Sequence, residues 1–294
     1  MLILGGSIGK RGGEPKPVAT HYAAPMTAHA CPICTAATDA LGAQRFLGKH
    51  AGEYRRCRAC GHIHVPDPHW LDEAYSSAIT ALDTGIVARN LWLADASCAL
   101  LGTSLRGVNR ILDYGGGSGL YTRLMRDRGY DAWWWDGYCD NLLAIGFEAD
   151  LTAQYDLLTA FEFVEHLPEP MPMLLRMRER APRMLLSTEL VPEDRSDLRQ
   201  WPYLAPEAGQ HISFFSARSL AIVAERLGLR LSSNGRNLHL LAPDTVPAWW
   251  LLQLRNGKRA RRWARLGRKP ALTYRDADAM LARLHAAEAP LPPQ

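Results

Sequence analysis

No stretch of this 294-residue chain approaches the roughly 20 apolar residues that a membrane-spanning helix requires. Ahead of its first glycines the N-terminus offers only the apolar run Leu2-Ile3-Leu4, where a secretory leader needs about 7–15 residues. Both absences point to a cytoplasmic protein. Residues 1–28 lack hydrophobic periodicity and are rich in Gly, Pro and Ala; they are expected to be disordered, with Met26 an alternative start. The net charge of +4 is too mild to point to nucleic acid by itself. Acid is missing locally, however: eight Lys/Arg stand between Arg255 and Lys269 with no Asp or Glu. Otherwise the chain is ordinary, with 47% hydrophobic and 22% charged residues, enough for a substantial core.

Cysteine is scarce but patterned. Four of the six fall in two C-x-x-C pairs, Cys31/Cys34 and Cys57/Cys60, while Cys98 and Cys139 stand alone. In a cytosolic chain this spacing favours a metal over disulfides. Each turn brings two thiolates to one ion, and two turns complete a tetrahedral shell. A zinc ribbon over residues 29–65 is expected, with a structural Zn2+ as folding energy for a segment too short to build its own core. Four thiolates close the shell and leave no catalytic position. His62 and His64 are substitute ligands by type; the plainer expectation is that they flank the knuckle at the surface. Residues 66–87, with Trp70 and Tyr75, read as a connector, and Tyr75 could line a site beyond it.

From residue 88 strand and helix signals alternate, which implies a parallel α/β sheet. A lead-in helix is predicted over 89–101. A short apolar strand follows, ending at Asp113, then Tyr114-Gly115-Gly116-Gly117-Ser118-Gly119 and a helix from Leu120 to Arg128. Glycines let the backbone turn tightly and approach a ligand, and the next helix offers free N–H groups and its positive end. A second strand, including Trp133-Trp134-Trp135, ends in Asp136, 23 residues after Asp113. An acid at about that distance suits ribose hydroxyls. The tryptophans alternate faces and are expected to pack in the core.

A dinucleotide fingerprint would put its last glycine at position 120, which is Leu120. The spacing Asp113-x-Gly115-x-Gly117-x-Gly119 instead resembles motif I of class I S-adenosylmethionine-dependent methyltransferases, the type 23-like and sugar methyltransferase-like members included. Further stretches carry the resemblance in order. Tyr155 to Pro170, with Phe161, Glu162, Glu165 and His166, looks like the family's fourth strand and the loop beyond it. Met184 to Leu190 reads as a fifth strand. Ser216 caps a helix that Gly228 ends. Leu229 to Ala242 reads as two strands about an Asn234-Gly235 turn.

The resemblance implies a Rossmann-like, seven-stranded sheet over residues 88–245, mostly parallel with an antiparallel C-terminal hairpin, in front of a basic helical extension over 246–294. It implies S-adenosylmethionine as cofactor, held by Asp113, Gly115, Gly116, Gly117, Gly119, Asp136, Gly137, Phe161 and Glu162. Methyltransferases of polysaccharide and cell-envelope gene groups resemble the whole arrangement, so a small-molecule or glycan acceptor is expected, methylated on oxygen or carbon. His211 and His166 are the candidate bases. Sugar C-methyltransferases have a similar "H-E-H-x-S-Y-F" stretch with a functional histidine matching His211; here Gly209 and Gln210 replace its first two residues. Glu165 reads as a loop-ordering or cofactor-side group, and Glu189 could face the acceptor. The [N/D]-P-P-[Y/F] motif of amine and base methylation is missing, since Thr159-Ala160-Phe161-Glu162 stands in its place.

The loop Trp201 to Glu207 could stack a sugar or act only as a lid. The basic extension reads as a solvated helix capping the domain, as a peripheral contact with the inner membrane surface, or as a nucleic-acid contact. The competing functions are an RNA methyltransferase using ribbon and tail, and a non-catalytic cofactor-binding protein.

Overall fold

The computed structural model describes residues 30–76, 79–193 and 198–288; the N-terminal segment expected to be disordered lies outside them. The chain opens with β1 (Thr38–Phe46), β2 (His50–Cys57) and β3 (Ile63–His64), then α1 (Leu71–Ala74) in the connector and α2 (Ile86–Gly102). Then follow β4 (Arg110–Tyr114), α3 (Leu120–Arg126), β5 (Asp131–Trp135), β6 (Leu157–Phe161), α4 (Pro170–Arg178) and β7 (Met184–Ser187). Then come β8 (Ser213–Phe214), α5 (Ala217–Arg226), β9 (Arg230–Ser233) and β10 (His239–Ala242), and the extension forms α6 (Ala248–Leu254), α7 (Gly257–Ala264) and α8 (Thr273–Glu288).

The main sheet has strand order β5-β4-β6-β7-β10-β9. The first four are parallel, and β10 runs antiparallel to both β7 and β9. Strand alternation divides its side chains between two cores. Ile111, Ala132, Leu157, Leu185 and Leu240 face α2 and the α6–α7 extension, whereas Leu112, Leu158, Met184, Leu186 and Leu241 pack with α4 and α5. Among the described residues six of the expected seven strands form. The segment after β5 makes only a single bridge, Trp134 to Glu148. Its sequence from Gly137 to Asp150 holds two Gly, two Asp, one Asn and one Glu; the apolar run Leu142 to Ile145 leaves three of its four side chains exposed, and Gly146 follows it at φ 86°. The C-terminal hairpin also closes differently from a two-residue turn. Five residues separate Ser233 from His239, and the Asn234 side chain accepts the N–H groups of Arg236, Asn237 and Leu238. Ser216 caps α5 as expected, in a reciprocal box with Ser219.

The ribbon is not a separate bead. Its strands form a second sheet, β1-β2-β3-β8, whose last strand comes from the segment between β7 and α5. Ile63 pairs with Phe214 and His64 with Ser213.

The extension caps α2. Ala260 and Ala264 of α7 are fully buried, and Trp92 of α2 donates its indole N–H to the Leu254 carbonyl at 2.8 Å. The following turn presses so close that a Cβ on Gly267 would lie 1.8 Å from the Cys98 carbonyl oxygen. Neither partner is a flexible side chain, so Gly267→Ala is expected to lower stability by about 3 kcal/mol or more, read as a lower urea midpoint with unchanged m-value. α8 is tied on by Asp276, which takes two 2.8 Å bonds from the buried Arg126 guanidinium and one from Arg123.

Candidate functional site

Glycine-loop strand β4 and acid-bearing strand β5 are parallel neighbours, Tyr114 opposite Trp135. Their loops therefore meet at the carboxyl edge of the sheet, where such folds bind ligands. Gly115 and Gly116 both donate to the Trp135 carbonyl, at 2.8 and 3.0 Å. Gly115, Gly117 and Gly119 all have positive φ, and a Cβ on Gly115 or Gly116 would collide with Phe163 or Trp134. Gly117 is different: a Cβ there would meet nothing within 4 Å. Its open side faces a cavity of about 730 Å³ lined by the loop, Asp136, Gly137, Phe161, Glu162, Tyr203, His166 and His211. That volume is ordinary for a small-molecule site.

Asp136 lines this cavity and also braces it. Its carboxylate accepts the Gly117 N–H at 2.9 Å on one oxygen and those of Tyr138 and Cys139, at 2.7 and 2.8 Å, on the other. Asp113 lies deeper. It accepts from Thr122 at 2.8 Å and Thr159 at 3.3 Å, and burial pushes its pKa up to about 7. Trp134 is more than core: its indole N–H donates to the Gly117 carbonyl at 2.9 Å, so the middle of the tryptophan run holds the loop. Phe161 packs edge-on against Tyr121.

The opposite wall is ionisable. Glu162 has φ 48° and accepts from Ser187 Oγ at 2.8 Å. Glu165 is fully buried, and the Tyr203 hydroxyl donates to it. Burial raises the pKa of both carboxyls, and for Glu165 the neighbouring Glu162 raises it further. Arg89 of α2, paired with Asp83 at 2.9 and 2.5 Å, also lines the cavity. Glu189 lies on the rim, 3.3 Å from Arg236.

The two histidines meet edge-on with ring centroids 4.9 Å apart. His166 donates from Nδ1 to the Gln210 carbonyl at 3.1 Å, and His211 from Nδ1 to the Tyr203 carbonyl at 2.6 Å. Each ring is thereby fixed with Nε2 as acceptor. Burial lowers the pKa of His166 to about 3 and also lowers that of His211, so both are neutral imidazoles at pH 7. The two replaced positions upstream have structural work. Gly209, at φ 67°, accepts the Trp70 indole N–H at 2.8 Å, and Gln210 donates to the Ala74 carbonyl at 2.8 Å. Both fasten the connector over the site, and its Tyr75 stacks on Tyr138 at 4.7 Å on the cavity wall. In the 201–207 loop Pro202, Tyr203 and Ala205 line the cavity, whereas Trp201 turns away onto Phe214.

Cys31, Cys34, Cys57 and Cys60 converge, with all four Sγ within 4.8 Å of one another. Cys31–Cys60 and Cys34–Cys57 are 3.6 and 3.3 Å apart, near the roughly 3.8 Å edge of a tetrahedron with 2.3 Å zinc–sulfur bonds. The Ile33 and Cys60 N–H groups point at Cys31 and Cys57 sulfur, each at 3.4 Å. This cluster fits a zinc ion. His62 and His64 are buried, contrary to the surface position expected from sequence; they are 0% and 6% exposed, because β3 and the residue before it are sandwiched between β2 and β8.

Residues 89–234 match a family model described as a methyltransferase domain. The chain carries a methyltransferase domain. Its class uses S-adenosylmethionine, and the open side of Gly117 and the acid at Asp136 fit that cofactor. No curated protein matches the methyltransferase. Among solved structures, it is 18% identical to TnmH over 60% of this chain and 61% of that one, with a TM-score of 0.43. Magnesium protoporphyrin IX methyltransferase (ChlM) from Synechocystis PCC 6803 with bound SAH is 15% identical over 60% of this chain and 94% of its own, TM-score 0.42. Human N-acetylserotonin methyltransferase in complex with SAM is 14% identical over 59% of this chain and 65% of its own, TM-score 0.37. The methyltransferase thus spans less than two thirds of TnmH and of the human enzyme.

Proposed function

We propose that this methyltransferase acts on a hydroxyl of a small-molecule or glycan-type acceptor, with His211 as general base and the four-cysteine zinc as a structural ion. The observation that supports it most is His211 itself: a neutral imidazole on the cavity wall, its Nδ1 proton engaged by the Tyr203 carbonyl. S-adenosylmethionine supplies an electrophilic methyl group. The glycine loop, Asp136, Phe161 and Glu162 would hold its nucleoside, and Tyr75 and Tyr138 would wall off water. His211 Nε2 would take the proton of the acceptor hydroxyl, freeing its oxygen to accept the methyl group in exchange for the sulfonium C–S bond. His166, edge-on to His211, positions that ring. Oxygen is favoured over carbon because the two residues before His211 serve the connector rather than a second base.

Calorimetry of S-adenosylmethionine against NAD tests the cofactor assignment, and S-adenosylhomocysteine release over a panel of hydroxylated acceptors tests the chemistry. Asp136→Ala is expected to weaken S-adenosylmethionine binding at least tenfold, the loss of a charged hydrogen-bond acceptor worth about 1.5–3 kcal/mol. Unchanged binding, or tighter binding of NAD, would overturn the reading.

A further inference from the structure

The α6–α7 extension caps α2 with its small residues and leaves its large ones outside. Ala260, Ala264 and Gly267 are the buried positions on α7 and the turn after it. The eight cations Arg255, Lys258, Arg259, Arg261, Arg262, Arg265, Arg268 and Lys269 are all exposed. Among the described residues none of them is in an ion pair; Arg259 bonds to the neutral side chain of Gln253, and Lys269 bonds to Asn109 and lies over the Tyr130 ring. A helix that only capped a domain would be expected to intersperse acids on its outer face. Here none occurs between Arg255 and Lys269.

Large apolar side chains lie among these cations. Trp249 is 66% exposed and Leu266 58%, with Leu252 and Trp263 also exposed. Trp249 and Leu252 stand one turn apart on α6, and Trp263 leans edge-on against the buried Trp250. A soluble surface gains nothing from exposed tryptophan beside unpaired arginine. The boundary between lipid headgroups and acyl chains takes both at once: apolar rings enter it, and cations meet anionic headgroups. A nucleic acid would use the cations but has no place for Leu252 and Leu266.

We infer that the outer face of α6 and α7 docks on an anionic lipid bilayer. The face adjoins the catalytic site through α2. Trp92, bonded to Leu254, lies beside Arg89, Asn90 and Leu93, which line the cavity. Docking therefore holds the cavity wall close to the membrane surface.

The test uses the full chain with vesicles of phosphatidylglycerol mixed with phosphatidylcholine, vesicles of phosphatidylcholine alone, and a single-stranded RNA oligonucleotide. Sedimentation with the anionic vesicles only is expected, with a blue shift of tryptophan emission, and loss of binding at about 0.5 M salt. The exposed triple variant Arg261→Gln, Arg262→Gln, Arg265→Gln should bind about 100-fold more weakly, at roughly fivefold per cation, and Trp249→Ala should remove part of the blue shift. S-adenosylmethionine affinity of the variants should equal that of the parent chain, which separates this test from that of the catalytic site. Equal binding to neutral vesicles, no binding to either, an unaffected triple variant, or binding to the RNA but not to vesicles would each overturn the inference.

Discussion

Removing the metal from the four-cysteine cluster, by chelation or by Cys57→Ser with Cys60→Ser, is expected to stop methyl transfer while leaving cofactor affinity within about tenfold of the intact protein. Structural zinc contributes about 10–16 kcal/mol in small modules of this kind, far more than the ribbon's short strands can replace. The route to the active site is short. Cys60 is followed by β3, β3 pairs with β8, and His211 stands two residues before β8. Val65 donates to the Ile212 carbonyl, and Ile212 to that of Glu165; the Ser216 hydroxyl donates to the Cys60 carbonyl. Loss of the knuckle frees this whole edge. The glycine loop hangs instead on β4 and β5, at the far side of the main sheet. Metal analysis should find one zinc per chain, limited proteolysis should open the segment before residue 66, and turnover should fall at least 100-fold. Full turnover by metal-free protein would show that the ribbon does not position His211.

The second large effect is at the base itself. His211→Ala should lower kcat by about 10²–10⁴, the usual contribution of a positioned proton acceptor, with S-adenosylmethionine affinity unchanged. His166→Gln should cost less, because it keeps a polar partner against His211 without itself taking the proton. The pH profile carries the sign. Burial lowers the pKa of His211, so the proton-accepting form persists to lower pH than for a solvated histidine, whose pKa is about 6.5. Turnover is therefore expected to stay level between about pH 8 and 6.5 and to fall on the acid side of that value. Wild-type-like turnover by His211→Ala, or a profile already falling from pH 8, would remove His211 from the role.

Much of this site can be read from local pattern alone. Tight turns need glycine, parallel strands bring consecutive loop ends together, and so Gly115 to Gly119 and Asp136 meet as their spacing implies. Paired C-x-x-C turns announce their own geometry. What sequence reading missed is long-range. Strands β3 and β8 are two residues each, too short for any period, and only their pairing buries His62 and His64. The Arg126–Asp276 bond spans 150 positions, and nothing near either residue marks it. Trp134 was legible as a strand residue, but the direction of its indole N–H depends on the neighbouring loop. The seventh strand is interrupted locally: Gly146, with positive φ, follows the apolar run Leu142 to Ile145, and only Glu148 reaches a bridge with Trp134.

Because the strand that follows His211 finishes a sheet begun about 175 residues earlier, the catalytic region has no clean seam at its front. An excised 88–245 fragment would present β8 as a bare edge, with Phe214 and Phe215 stripped of their cover. Recombining such enzymes to change acceptor choice therefore calls for moving the cysteine module together with the segment from Tyr203 to Ser216, as one discontinuous cassette.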